Sequence, residues 1–266
     1  MEIKILLFIF TFFNFPLAHG DYAKTLTIKK SPHDFFQQGL QFYDKKNFTL
    51  AKDSFKQALQ TLQQKGENVE YYPEVFYNLG LTEYRLDQKG SALFNFRMTA
   101  MTLPRNEDNQ QNLEFISTRI GDKIGTTHIS LANKLHQWVP FNLHELLYLF
   151  TLLNILFWLC FFLNKKFTKA SLSVLYTLAG ILSGTLFILI LARISFPFQF
   201  GVIVVPESKI YSGPGTDNVV LFKLHEGTEF EIEETLKKED WLRLRLNDGK
   251  SGWVNSHSTL ASPQIF

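Results

Sequence analysis

Two long apolar runs dominate the middle of this chain, and only the short segment 164–169 separates them. The first run, residues 146–163, carries no charge and would extend about 27 Å as a helix, close to the roughly 30 Å of a hydrocarbon core. The second run, residues 171–192, is followed by Arg193. A connection this short between two spanning helices forces a hairpin. The segments before and after the hairpin must therefore lie on the same side of a membrane.

Positive charge sets the orientation of this hairpin. Lys165, Lys166 and Lys169 lie in the short connection, and basic residues in short loops tend to stay cytoplasmic. We therefore predict transmembrane helices over residues 143–163 and 171–193, a cytoplasmic loop over residues 164–170, and extracytoplasmic flanking segments.

The first residues indicate export independently. Residues 1–20 have the order of a signal peptide, with Lys4, an apolar core over residues 5–13, and small residues at Ala18 and Gly20. An uncleaved membrane anchor is the alternative. In both cases residue 21 onward is exported, which agrees with both flanking segments lying outside the cytoplasm.

Charge and cysteine content exclude some classes of site. The formal net charge is +2, and neither flanking segment carries the basic stripe of a nucleic-acid-binding protein. Cys160 is the only cysteine and lies within the first apolar run, so the sequence predicts no internal disulfide and no cysteine-based metal cluster.

Residues 21–122 contain two blocks in which apolar residues follow helical spacing. In each block an alanine comes twelve positions after a glycine and a phenylalanine four positions later: Gly39, Ala51 and Phe55, then Gly80, Ala92 and Phe96. Pro104 closes the second block. This register resembles the tetratricopeptide repeat, an all-α stack of helix pairs. The glycines are farther apart than that repeat requires, and Glu83 stands where an aromatic residue is usual. A helix over residues 107–120 would cap the stack.

The resemblance implies a concave face that could bind a peptide or a partner helix. By register this face would include six residues: Phe36, Leu40, Tyr43, Tyr77, Leu81 and Tyr84. The alternative is that these side chains pack on one another or on the capping helix, because aromatic stripes at helical spacing are usually core.

Residues 123–142 join the repeats to the first span. They form either an interfacial helix at the headgroups or a linker that covers the base of the stack. Within the spans, close packing is predicted for five residues: Asn154, Ser173, Thr177, Gly180 and Gly184. Small residues allow helices to approach closely in lipid, and the contact could lie within the hairpin or between two molecules.

Residues 200–262 change to short strands with turn signals, which predicts a small all-β barrel or sandwich. Residues 211–215, 224–227, 241–244 and 248–254 have the order and spacing of bacterial SH3-like (SH3b) domains. That resemblance implies binding of cell-wall peptide or of another protein. Tyr211, Trp241 and Trp253 are the predicted aromatic contact surface. The alternative is that they only fill the barrel.

We find no serine elbow, paired carboxylates, phosphate-binding glycine loop or metal cluster in the sequence, so we predict a non-enzyme without a cofactor. The order of signal, repeats, two spans and SH3-like domain resembles the BatE family of the bacterial aerotolerance (Bat) operon. The resemblance implies a periplasmic complex with von Willebrand A-type Bat partners. Two hypotheses follow: an inner-membrane scaffold that binds proteins through the repeats, and a peptidoglycan-binding anchor or sensor that acts through the SH3-like domain.

Overall fold

A computed structural model describes residues 30–66, 72–120, 141–167, 170–195, 199–236 and 240–262. The predicted signal peptide and nearly all of the predicted linker at residues 123–142 lie outside these ranges. Within them the chain forms seven α-helices followed by a β-sheet domain. The helices are α1 Pro32–Asp44, α2 Phe48–Gln64, α3 Pro73–Arg85, α4 Lys89–Thr102, α5 Glu107–Ser117, α6 Leu143–Phe167 and α7 Ala170–Ser195.

Each of the helices α1–α4 packs against the helix that follows it in the chain. A capping box begins α1: the Asp34 N–H donates to Ser31 Oγ at 3.2 Å, and the Ser31 N–H donates to Asp34 Oδ2 at 2.8 Å. A three-residue turn joins α1 to α2, and another joins α3 to α4, so each of these two pairs packs together. The two pairs are in contact through α2 and α3. We call α1–α5 the helical domain.

The glycine-to-aromatic spacing determines how closely each pair approaches. A Cβ on Gly39 would lie 2.5 Å from the Phe55 ring, and a Cβ on Gly80 would lie 2.8 Å from the Phe96 ring. Both distances are shorter than any tolerated carbon contact, so only glycine allows these helices to come together. The capping helix predicted over residues 107–120 ends at Ser117. Residues 67–71, which lie between the two blocks, are outside the described ranges.

Two helices, α6 and α7, are long and apolar enough to cross a membrane, and they pack against each other. A capping box fixes the start of α6, because the Asn142 N–H donates to Glu145 Oε2 at 2.9 Å and the Glu145 N–H donates to Asn142 Oδ1 at 2.8 Å. The helix continues to Phe167, so residues 164–167, which we assigned to the loop, are helical. Lysine is a good helix former, and the end of an apolar run is not necessarily the end of a helix.

The C-terminal domain is a seven-stranded antiparallel sheet, described for residues 199–236 and 240–262. Its strand order is β3-β2-β6-β5-β4-β1-β7. The strands are β1 Phe200–Ile203, β2 Glu207–Tyr211, β3 Val220–His225, β4 Glu229–Leu236, β5 Trp241–Arg245, β6 Ser251–Asn255 and β7 Thr259–Ser262. A tight turn with Gly249 at φ 89° joins β5 to β6, as the Asn247-Asp248-Gly249 sequence predicts. The last strand, β7, was not predicted from the sequence.

The two domains outside the apolar helices are joined rather than separate. The hydrophobic core of the helical domain extends to Phe200 and Val202 of β1, and the sheet has a second hydrophobic core of its own. At this joint the Phe94 and Phe200 rings lie 5.4 Å apart, and α4 contacts both β1 and β7. We refer to this contact of α4 with β1, β7 and the β3–β4 turn as the joint.

Candidate functional site

The predicted aromatic surface of the SH3-like domain lies on its central strands. Tyr211 of β2 is directly opposite Trp253 of β6 on one side and Val220 of β3 on the other. Directly opposed residues share a face of the sheet. These residues therefore form a row across three adjacent strands, which we call the aromatic row: Val220, Tyr211 and Trp253.

Trp241 has a different position from the other two predicted aromatic residues. Its ring meets Tyr211 edge to face at 5.5 Å, but only 7% of the residue is exposed. Tyr211 and Trp253 are half-buried. Trp241 is opposite Asn255, two residues along β6 from Trp253, so it is a buried neighbour of the row on the same face, and the exposed contact area comes from Tyr211, Trp253 and Val220.

The end of the row at β3 is apolar and exposed. Val220 is 42% exposed, and its neighbours Val219 and Leu221 are exposed as well. The third strand is at the edge of the sheet, where backbone groups can pair with an added peptide strand. We did not predict this patch from the sequence. The signal that could have found it is the run of apolar residues beside a glycine-rich turn.

That turn, which connects β2 to β3, is held in one conformation. The Asn218 side-chain amide donates to the Pro214 carbonyl at 3.0 Å and to the Gly215 carbonyl at 3.2 Å. Gly215 has φ 120°, which residues with a side chain rarely adopt. The turn therefore fixes the position of Tyr211 relative to Val220.

The six predicted residues of the helical face are partly buried against the helical core. On α3, Tyr84 meets Phe115 of α5 with ring centroids 5.5 Å apart, and the Asn112 amide donates to the Tyr77 hydroxyl at 3.3 Å. The fifth helix therefore covers two residues of the predicted face. On α1, the Phe36 ring packs 5.7 Å from Phe55 and the Tyr43 ring 5.3 Å from Phe48.

Four charged or polar groups hold the joint. The Arg97 guanidinium on α4 donates to both carboxylate oxygens of Glu229, at 2.7 and 2.9 Å. The Gly90 N–H at the start of α4 donates to Glu226 Oε1 at 2.9 Å. Gln88, the N-cap residue of α4, makes no side-chain capping bond. The β3–β4 turn of the neighbouring domain thus supplies the acceptor that α4 lacks at its own N-terminus.

Beside the joint is a cleft of about 430 Å³. One wall belongs to α2, α3 and α4, and the other is formed by Asp240, the 3₁₀ turn Ser256–Ser258 and β7. We call it the interdomain cleft. Pockets of this size between domains are frequent ligand sites.

Glu83 is the unusual residue of the interdomain cleft. Its side chain is only 2% exposed, and Asn95 donates to Glu83 Oε2 at 2.7 Å. Lys56 Nζ lies 3.8 Å from Oε1, beyond hydrogen-bonding distance. Burial raises the pKa of Glu83 from its ordinary value of 4.5 to about 7, because Lys56 and Asn95 compensate the lost hydration only in part. The departure of Glu83 from the repeat pattern was the sequence signal for this position.

The predicted packing residues of the spans divide into two groups. The Asn154 amide on α6 donates to Ser183 Oγ on α7 at 2.7 Å, and Gly180 lies against Phe157. Thr177 and Gly184 are exposed, and a Cβ on Gly184 would meet nothing within 4 Å. Within the hairpin, α7 therefore contacts α6 through Gly180 and Ser183 and not through Thr177 or Gly184.

The difference has a geometric reason. The buried residues of α7 include Ala179 and Ser183, which with Gly180 form a stripe at the spacing of adjacent helical turns. Ser173 is half-buried at one end of the helix, and its carbonyl accepts a hydrogen bond from the Thr177 hydroxyl at 2.7 Å. Thr177 and Gly184 remain available only for a contact outside the hairpin.

Residues 207–260 match the family model of the bacterial SH3 domain. This match covers β2 to the start of β7 and includes Tyr211, Val220, Trp241 and Trp253. No curated protein matches the chain. Among the described residues, no group of three or more His, Cys, Asp or Glu side chains could hold a metal ion.

Proposed function

We propose that the protein is a non-enzymatic, membrane-anchored binding protein whose SH3-like domain binds cell-wall peptide through the aromatic row. The observation that carries this proposal is the row itself, a half-buried Tyr211 and Trp253 continued by the exposed Val220 on an edge strand. Aromatic residues that are rigid and partly exposed supply large contact area at low entropic cost. The similarity of residues 207–260 to the bacterial SH3 domain supports a peptidoglycan ligand.

The anchor in this proposal is the pair α6–α7. In the proposed topology Lys165, Lys166 and Lys169 hold the connected ends of α6 and α7 in the cytoplasm, so both the helical domain and the SH3-like domain lie on the periplasmic side of the inner membrane. The joint makes these two domains one scaffold, because Arg97, Gly90 and Phe94 tie α4 to the sheet. A wall-bound SH3-like domain would then hold the helical domain at a fixed position relative to the wall.

Co-sedimentation of the full-length protein in lipid nanodiscs with purified wall sacculi tests this proposal. Val220→Asp should lower the sedimented fraction at a given sacculus concentration, because it places a charge in the contact area. Tyr211→Ala should lower it further. Loss of a contact residue of this kind weakens binding by about fivefold or more.

The matched control is Leu50→Asp on α2. Leu50 is 43% exposed, close to the 42% of Val220, so the two substitutions introduce the same charge at equally exposed aliphatic sites. Retention of wild-type binding by Leu50→Asp with loss in Val220→Asp supports the aromatic row. If all variants bind sacculi equally, or if the wild type does not bind sacculi, the aromatic row is excluded as a wall-binding surface.

A second candidate function is a scaffold for partner proteins bound by the helical domain. The partly buried side chains on the outermost helix α1, Phe36, Leu40 and Tyr43, favour it, because α5 covers Tyr77 and Tyr84 but not this helix. The resemblance to the BatE family suggests von Willebrand A-type Bat proteins as partners. Leu40→Asp should then abolish co-purification of a tagged von Willebrand A-type partner, while Val220→Asp should leave it unchanged. The reverse pattern would exclude this role for α1.

A further inference from the structure

The interdomain cleft has the composition of a small-molecule site and is separate from the aromatic row. Its floor and walls include apolar side chains, among them Leu79, Phe94 and Leu260. Several polar side chains converge on the same space: Lys56, Gln60, Gln63, Glu83, Asn95, Asp240 and His257. Concave sites that bind small ligands combine an apolar lining with a few placed polar groups in this way.

The hydrogen-bonding capacity of Glu83 is incompletely used. An ionised carboxylate can accept about four hydrogen bonds. Asn95 supplies one to Glu83 Oε2, and Lys56 Nζ at 3.8 Å supplies none of normal length to Oε1. A buried carboxylate in this state is unfavourable unless a further donor reaches it. The cleft is the space from which such a donor can come.

The charges of the cleft favour a cationic donor. Two carboxylates, Glu83 and Asp240, line it against one ammonium group, that of Lys56. Lys56 belongs to the mouth of the cleft, because 51% of its side chain is exposed. It can turn toward solvent and leave Glu83 to a ligand without breaking a hydrogen bond of normal length.

We propose that the interdomain cleft binds a small ligand with a primary ammonium group on a short, partly apolar chain, and that Glu83 accepts hydrogen bonds from that ammonium group. The N-terminus of a short peptide and the side-chain amine of a diamino acid both have this chemistry. A volume of about 430 Å³ accommodates a ligand of a few residues. The proposal stands independently of wall binding by the aromatic row, which lies on other strands.

Isothermal titration calorimetry of the full chain in nanodiscs tests the proposal with three probes. Trialanine carries an α-ammonium group, N-acetyl-lysyl-alanyl-alanine carries only a side-chain ammonium group, and N-acetyl-trialanine carries neither. We expect one or both of the first two to bind and the third not to bind. Which of the two binds identifies the source of the ammonium group. Equal binding of N-acetyl-trialanine, or no binding of any probe, overturns the proposal.

Glu83→Gln should weaken binding of the ammonium probe by about tenfold or more, because a charge-assisted hydrogen bond is replaced by a neutral one. The variant keeps the shape of the side chain and an oxygen that can accept from Asn95, so it should fold. Glu74→Gln makes the same substitution at an exposed site on the same helix and should bind like wild type. Equal affinities for Glu83→Gln and Glu74→Gln overturn the role of Glu83.

Sacculus binding by Glu83→Gln separates this proposal from the proposed function. Wild-type sacculus binding together with loss of the ammonium probe supports the interdomain cleft as a second site. If wild-type protein binds the ammonium probe but not sacculi, the aromatic-row proposal alone fails.

Discussion

Substitution of Gly90 by alanine has two effects on the stability of the folded protein, and these effects have opposite signs. The substitution therefore tests whether α4 packs closely against the SH3-like domain at the joint. In a helix without tertiary constraints, replacing glycine by alanine stabilises the folded state by up to about 1 kcal/mol. At the joint, however, a Cβ on Gly90 would lie 2.4 Å from the carbonyl oxygen of Ile203 and 3.1 Å from the Cα of Val204. Both are backbone atoms of the SH3-like domain, so no side chain can turn aside to relieve the overlap.

The structure sets the size of the expected effect. A carbon and a carbonyl oxygen need about 3.3 Å, so α4 would have to move away from the sheet by roughly 0.9 Å. A movement of this size lengthens the Gly90–Glu226 hydrogen bond from 2.9 Å to roughly 3.8 Å, which breaks it. Losing this bond costs about 1–2 kcal/mol, and overpacking costs about 1–3 kcal/mol. After the gain in helix propensity of up to about 1 kcal/mol, we expect Gly90→Ala to lower the free energy of unfolding by about 1–4 kcal/mol.

Two measurements check this prediction on the protein in nanodiscs. Urea titration followed by circular dichroism gives the change in unfolding free energy. Hydrogen exchange with mass spectrometry reports the joint locally, and amide protection should fall in peptides covering residues 86–96 and 200–206. Ser91→Ala, one position along α4, is the control and should change stability by less than about 0.5 kcal/mol. If the Gly90→Ala protein is more stable than wild type and its amide protection is unchanged, the close packing of α4 against the SH3-like domain at the joint is refuted.

Three further predictions concern the interdomain cleft, the contact between the apolar helices α6 and α7, and the proposed topology. Folding raises the pKa of Glu83 from 4.5 to about 7, and the nearby cations Lys56 and Lys52 oppose this shift. The free energy of unfolding should therefore fall as the pH rises between these two values, and the loss should reach about 3 kcal/mol near pH 8. In urea titrations from pH 5 to pH 8, the stability of Glu83→Gln should not show this fall. If the stabilities of wild type and Glu83→Gln change with pH in parallel, the raised pKa of Glu83 is contradicted. Asn154→Leu should weaken the α6–α7 contact by about 0.5–2 kcal/mol, because the hydrogen bond to Ser183 is lost. Detergent-induced unfolding measures this change, and an unaltered unfolding curve would show that the hydrogen bond contributes little. Alkaline phosphatase fused after Phe266 should be active and a fusion within residues 165–169 inactive, and the opposite pattern would invert the topology.

Local sequence patterns account for the elements of the fold. Two uncharged apolar runs about as long as a bilayer core is thick predict α6 and α7 as helices that could span a membrane. The glycine and phenylalanine spacing predicts the close approach of α1 to α2 and of α3 to α4, because both residues of each contact are close in sequence. Alternating residues and the Asn247-Asp248-Gly249 turn predict the β5–β6 hairpin in the same way.

Local patterns were insufficient where contacts join residues far apart in the chain. The sequence pattern predicts the helical and SH3-like domains as two modules and does not predict β7, the last strand of the joint. Helical spacing gives several possible stripes on α7 and does not say which one meets α6, so Thr177 and Gly184 fit the pattern as well as Gly180 does. Glu83 departs from the repeat pattern, but the cleft around it needs β7 and Asp240 from the other domain.

The sequence alone determined the type and order of the elements: five helices, two apolar helices long enough to span a membrane, and a small antiparallel β domain similar to the bacterial SH3 domain over residues 207–260. These follow from periodicity, turn chemistry and length, which are properties of neighbouring residues. Only the tertiary structure decided that the Gly90 N–H of α4 donates to Glu226, that the core of the helical domain extends to β1, and that Glu83 is buried beside a cleft. Those features depend on pairs such as Gly90 and Ile203, whose approach is set by the packing of whole domains rather than by any local pattern.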